Sequence, residues 1–179
     1  MIRSTHSELP AVTPAIASNE HPDLCAACGG ACCRTRPGFE APERFLHAPD
    51  PAAALATALA SGLWVLEPHW GVPPSDAIAP DEGQRIIFYP RPATREEHAR
   101  QRTTSLKAAG TCVYLAETGC TLPFAGRPLM CRTLEPDPAF ECESSWTKRD
   151  AALAWFFHQG MIAEALRRLG LPWPEDTPW

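Results

Sequence analysis

Cys25-Ala26-Ala27-Cys28-Gly29-Gly30-Ala31-Cys32-Cys33 sets four cysteines within nine residues. Cys112, Cys120, Cys131 and Cys142 follow far downstream, so the eight cysteines of the chain fall into two groups of four. Crowded thiolates repel one another unless they form disulfides or share a cation, and zinc ions and iron–sulfur clusters are the usual holders of all-thiolate sites. The two-residue gap between Cys25 and Cys28 lets a tight turn aim both sulfurs at one ion. Gly29 and Gly30 can take positive φ, which brings backbone N–H groups up to the sulfurs with no Cβ in the way. Adjacent Cys32 and Cys33 point to opposite sides of an extended chain and diverge by about 100° on a helix. They fit one small tetrahedral shell poorly, which points to two sites or to one multinuclear cluster touched from two sides.

A disulfide framework is the competing reading of so many cysteines, and compartment weighs against it. Residues 1–22 carry Pro10, Pro14 and Pro22 but no apolar run of secretory length, and no later stretch is long enough to span a membrane. The expected location is therefore the cytosol, where thiols stay reduced. The net charge of −5 and the lack of any long run of like charge argue against a nucleic-acid or anionic-membrane footprint. Lys107 and Lys148 are the only lysines among many arginines and alanines, a bias in keeping with GC-rich bacterial coding.

At 179 residues the chain can bury a real core, and its 20 prolines predict a loop-rich domain of short elements. The expected organisation is a flexible arm over residues 1–22, one cysteine-cluster domain over 23–170 and a Pro/Trp tail over 171–179. Arg34-Thr35-Arg36-Pro37-Gly38 reads as a turn leaving the first cysteine group. Asp50 caps a helix with Pro51 at its first position, Leu55 and Leu59 on one face and Gly62 just past its end. Leu63–Leu66 and Arg85–Tyr89 read as strands of an antiparallel hairpin stopped by Pro68 and Pro90, joined by a long connection from His69 to Gly83. Thr94 and Glu97 predict a capping box for a short helix to about Arg102. Cys112–Leu115 is strand-like, Glu117-Thr118-Gly119 turns the chain before Cys120, and Pro128 opens a helical turn carrying Cys131. One amphipathic helix is predicted over 145–169, capped by Ser144 or Ser145, with Leu153, Phe156, Phe157, Met161, Ile162, Leu166 and Leu169 along its apolar stripe. Together these features predict a small α+β fold.

Cys25-x-x-Cys28-Gly29-Gly30-Ala31-Cys32-Cys33-Arg34, followed by Cys112-x-Tyr114-Leu115, Gly119-Cys120 and Arg127-Pro128-Leu129-x-Cys131-Arg132, resembles the bacterial CxxCxxCC cysteine-cluster family, the YkgJ-type zinc- or iron-chelating domain. The resemblance covers residues 23–142. It implies a metal-binding module whose cysteines are the ligands, and flagellin lysine methylases carry a similar cluster. Three residues, Gly29-Gly30-Ala31, precede the paired cysteines here where the family pattern has two. The pattern fixes Cys112, Cys120 and Cys131 more firmly than Cys142. Cys142 joins the ligand set on a coordination count, because eight thiolates complete two four-coordinate zinc shells without sharing. A metal shared between the groups would close the segment from Cys33 to Cys112 and couple binding to folding.

The remaining features carry less chemistry. The six histidines are scattered without metal-ligand spacing, with His47 and His69 held in reserve. Arg91, Arg95, Arg100 and Arg102 interleave with Glu96 and Glu97 and read as a solvated face. Arg34, Arg127 and Arg132 lie beside presumed ligands, where guanidinium groups either offset thiolate charge or form ordinary surface ion pairs. The Leu171–Trp179 tail reads either as a protein-partner peptide or as a segment folded back on the domain. No phosphate-binding loop, nucleotide fingerprint or nucleophile elbow is present. Any reaction would rest on the metal alone, whether as a closed zinc or metal-carrying module or as an iron–sulfur redox component accessory to a protein-modifying enzyme.

Overall fold

The computed structural model describes residues 22–70, 86–105, 109–139 and 142–174. The expected N-terminal arm up to residue 21, most of the connection between the hairpin strands and the last five residues of the tail lie outside these. The described residues form a small α+β fold of helices and short antiparallel hairpins. No helix among them is long and apolar enough to cross a membrane.

Helix α4 (Pro51–Ala60) begins where the sequence predicts. Asp50 accepts from the Ala53 N–H at 3.0 Å, Pro51 opens the helix, and Gly62 follows its end at φ 68°. Leu55 and Leu59 are buried against the main hairpin and the C-terminal helices.

That hairpin pairs β1 (Trp64–Trp70) with β2 (Ile86–Pro92) and runs through the prolines expected to stop it. Pro68, Pro90 and Pro92 stand opposite Phe88, Leu66 and Trp64. At these alternating positions the backbone points out of the ladder, so a missing N–H breaks no cross-strand bond. The Leu66 N–H donates outward to Thr103 at 2.8 Å, and the Phe88 N–H donates to Gln159 Oε1 at 3.0 Å. A two-stranded sheet has edges on both sides, which is why it tolerates three prolines.

The predicted single C-terminal helix is two: α7 (Lys148–Phe156) and α8 (Gln159–Arg168). The cap is Thr147, not Ser144 or Ser145, in a capping box with Asp150. The helix breaks at Phe157 and His158, where Gln159 Nε2 donates to the Trp155 carbonyl at 2.9 Å and to the Phe88 carbonyl at 2.9 Å. The Trp155 carbonyl also accepts from the His158 N–H at 2.9 Å, so the Gln159 side chain adds a second bond at the helix end and ties the break to β2. The kink lets Trp155 and Ile162 both bury fully, while Phe157, expected in the stripe, is 85 % exposed. Trp155, Phe45, Leu55, Leu66, Phe88 and Ile162 centre the core; each such side chain contributes roughly 1.5–3 kcal/mol on burial. Beyond α8 the tail folds back: Trp173 meets Phe88 edge-on at 5.3 Å and Pro174 is buried.

Arg91 and Glu97 are not on a solvated face. Arg91 is fully buried and bonds Glu97 through both terminal nitrogens at 2.8 Å, with its Nε on Glu67. Glu67 also accepts from the Tyr89 hydroxyl at 3.0 Å and pairs with Lys148 at 2.7 Å. Glu97 belongs to the predicted capping box with Thr94 at the start of α5 (Arg95–Ala99). Burial pushes its carboxyl up, but bonds from Arg91, Ser105 and the Thr94 N–H outweigh this and hold it at about 2. Only the outer residues of that stretch behave as predicted, such as the exposed Arg100–Glu96 pair.

Candidate metal centre

Cys25 and Cys28 ride on helix α1 (Pro22–Cys28), and Cys32 and Cys33 on α2 (Ala31–Thr35). The expected open turn around the first group is therefore two short helices joined at Gly29 and Gly30, with φ of 60° and 77°. This left-handed link does what the glycines predict: the Gly30 N–H donates to Cys28 Sγ at 3.3 Å. Arg34 and Thr35, read as a turn, complete α2 instead.

The second group is carried on irregular backbone. Cys112 forms an isolated bridge with Thr94, and the strand expected from Cys112 begins only at Leu115. Strand β3 (Leu115–Ala116) pairs with β4 (Gly119–Cys120), setting Leu115 opposite Cys120. Cys131 lies on α6 (Leu129–Arg132), which starts one residue after Pro128. Cys142 stands just before β6 (Glu143–Ser144), which pairs with β5 (Leu134–Glu135).

The fold brings the two groups together. The Cys112 N–H donates to the Cys33 carbonyl at 2.7 Å, and the Gly110 N–H to the Thr35 carbonyl at 3.1 Å. Leu115 packs over Gly30, where a Cβ would lie 2.5 Å from Leu115 Cδ1. Gly38 is pressed on Cys131, where a Cβ would lie 2.4 Å from Sγ. None of the eight cysteines is in a disulfide.

Their electrostatics are those of a crowded thiol cluster. Burial, then the charges of Cys28, Cys32 and Cys142, pushes Cys25 up. Burial, then Cys32, Cys112, Cys120 and Glu40, does the same to Cys131. Burial, with help from Cys120 and Cys32, raises Cys112 to about 11 against the Tyr114 N–H. Cys32 and Cys33 have sulfurs 3.9 Å apart on one helix. Their hydrogen bond holds Cys32 down at about 6, aided by backbone N–H groups and Arg127, and pushes Cys33 up. The thiolates of Cys25, Cys33, Cys112 and Cys131 are disfavoured by burial and by neighbouring thiols, and a cation would relieve that repulsion. Among the described residues, however, no three histidine, cysteine, aspartate or glutamate side chains stand in a group that would hold a metal ion.

The arginines divide. The charge of Arg127 acts on Cys25 and Cys32, while its guanidinium donates to the Leu122 carbonyl at 3.2 Å. Arg132 is buried beside Cys131 and Glu40 and donates to the Arg127 carbonyl at 3.1 Å. Arg34 is exposed and lies against Gly29. His69 has Lys148, Glu67 and Arg149 as its charged neighbours, and His47 is exposed at the end of α3 (Glu43–Leu46).

Glu40 had no signal in the sequence. It is fully buried; its carboxylate accepts from Ala41 N at 2.9 Å and Leu129 N at 3.1 Å and binds Arg44. Its carbonyl accepts from Trp155 Nε1 at 2.8 Å, so Glu40 ties the helix bearing Cys131 to the apolar core. A lone glutamate between Phe39 and Ala41 has no spacing that marks it.

Comparison with family models, curated proteins and solved structures finds no match for this chain.

Proposed function

We propose that the chain is a metal-binding protein of the cytosol, holding zinc or an iron–sulfur cluster through Cys25, Cys28, Cys32, Cys33, Cys112, Cys120, Cys131 and Cys142. The observation carrying this reading is the convergence of two cysteine groups, 78 residues apart in sequence, on one backbone junction between Cys33 and Cys112. The donor chemistry fits: the ligand type is all-thiolate, a backbone N–H already reaches the sulfur of Cys28, and Arg127 offsets negative charge. The order and spacing of the cysteines favour membership of the CxxCxxCC cysteine-cluster family.

A zinc ion bound by four thiolates would be closed and structural or carried as cargo; an iron–sulfur cluster would supply electron transfer or an open binding position. Anaerobic purification with metal analysis and a visible spectrum decides. A colourless protein with stoichiometric zinc is the outcome for a structural or carrier module. A brown protein with iron and acid-labile sulfide makes it a redox or catalytic component. A metal-free protein with eight titratable thiols would overturn the reading.

A further inference from the structure

We propose that Cys32 and Cys33 form a vicinal dithiol that captures trivalent arsenicals, one arsenic atom bridging the two sulfurs. The site goes beyond the metal-centre reading, because it needs two thiols rather than a full coordination shell.

The pair is held as a unit. Both residues lie on α2, with their sulfurs 3.9 Å apart. The Cys33 N–H donates to the Gly30 carbonyl at 3.0 Å, and the Arg36 N–H donates to the Cys32 carbonyl at 3.2 Å. The Cys33 carbonyl also accepts from the Cys112 N–H at 2.7 Å, so the backbone of the pair is fixed before any ligand arrives and little ordering remains to be done. Cys32 and Cys33 are half-buried, and Arg34, Thr35 and Arg36 after them are exposed, which places α2 at the surface. Neither cysteine is in a disulfide. They cannot close one on an intact helix, because the Cα atoms of neighbouring residues lie about 3.8 Å apart, below the roughly 4.4–6.8 Å that a disulfide spans. The pair therefore stays a dithiol while α2 holds.

The spacing selects the ligand. Two bonds of about 2.3 Å, the length of a zinc–thiolate bond, span the 3.9 Å between these sulfurs when they meet at a bent centre, whereas a linear two-coordinate ion would need about 4.6 Å. Among the described residues no third histidine, cysteine, aspartate or glutamate side chain groups with the pair to hold a metal ion, so the fitting ligand is one that two thiols complete. A trivalent arsenical carrying one carbon substituent is such a ligand: it is pyramidal, thiophilic and has two positions left for sulfur. In the capture of an arsenoxide, both S–H bonds and the arsenic–oxygen double bond break, two As–S bonds form, and the two protons leave with the oxygen as water. Arsenic stays trivalent, so no oxidant or reductant takes part.

Phenylarsine oxide is the probe. The reduced full-length chain, as purified and after chelation, receives one equivalent, is alkylated, and is read by intact mass and peptide mapping. The chelated chain is expected to carry one phenylarsenic group, with Cys32 and Cys33 the two thiols left unalkylated. A map in which these two are alkylated and another pair is protected overturns the proposal. Cys32→Ser and Cys33→Ser are each expected to weaken capture of the first equivalent at least tenfold, since one thiol supplies only one As–S bond; undiminished capture in either overturns it. In urea, where α2 no longer holds the pair, the first equivalent is expected to spread over other thiols. Equal selectivity in urea would assign capture to adjacency in sequence and overturn the structural argument. Metal analysis of the untreated chain judges the other reading separately. A chain free of zinc and iron that still maps to Cys32 and Cys33 upholds the dithiol and overturns the metal centre, and a metal-loaded chain whose chelated form maps elsewhere does the reverse.

Discussion

The Cys112 N–H donates to the Cys33 carbonyl at 2.7 Å, so a main-chain hydrogen bond joins the two cysteine groups across 78 intervening residues. Closing that segment costs entropy, which the apolar core and any bound cation must offset. None of the cysteines belongs to the central apolar cluster, so metal and core make separable contributions. Chelation is expected to lower the melting temperature and to accelerate amide exchange at residues 31–35 and 109–116 ahead of the β1–β2 strands. Hydrogen exchange with and without chelator checks this, and unchanged protection at Cys112 would mean that no cation braces the junction.

Gly38→Ala tests the contact with Cys131. The added Cβ would clash with Cys131 Sγ and crowd the Cys131 backbone nitrogen at 3.3 Å, so the thiol must rotate away and the start of α6 must give by a few tenths of an ångström. Expected outcomes are a lower melting temperature and weaker zinc retention. Gly160→Ala, on α8 with nothing within 4 Å of the new methyl, should instead stabilise by about 0.5–1 kcal/mol through helix propensity. Chemical denaturation of the two variants side by side would show opposite signs; equal effects would refute the steric argument.

Arg91→Leu should be among the most damaging single changes outside the cysteines. It leaves Glu67 and Glu97 without the guanidinium that both carboxylates bind, with Lys148 the remaining cation at Glu67. Breaking a buried pair from one side costs about 3–5 kcal/mol. Urea unfolding measures it, and a loss below about 1 kcal/mol, the range of a surface pair, would show that water reaches this network.

The same network predicts acid sensitivity. Glu97 is held at about 2 in the folded chain against an ordinary 4.5. Its folded value is depressed, so the unfolded chain binds the extra proton between these limits and stability rises with pH there. The contribution is complete above about 4.5 and is lost as pH falls toward about 2. Glu97→Gln should flatten the dependence of stability on pH over that window while leaving it unchanged near neutrality. An unaltered slope in denaturant titrations at several acid pH values would contradict the assignment.

The local elements were legible because their causes are local. Asp50 with Pro51, Thr94 with Glu97, and the paired glycines after Cys28 act through their own or adjacent backbone, and each does what its residue type requires. The cysteine pattern likewise named the candidate ligands without any coordinates. Tertiary structure decided everything that depends on a distant partner. Pro68 and Pro90 sit within strands because their outward-facing positions owe no bond to the ladder, and that parity exists only once the register is set. The C-terminal helix breaks because Gln159 finds Phe88, 71 residues away. Arg91, Glu97 and Glu40 are buried because partners from several elements surround them. The thiol groups could be counted in the sequence, but that the second group returns to the first at the Cys33–Cys112 junction could not, since proximity between segments is a property of packing rather than of spacing.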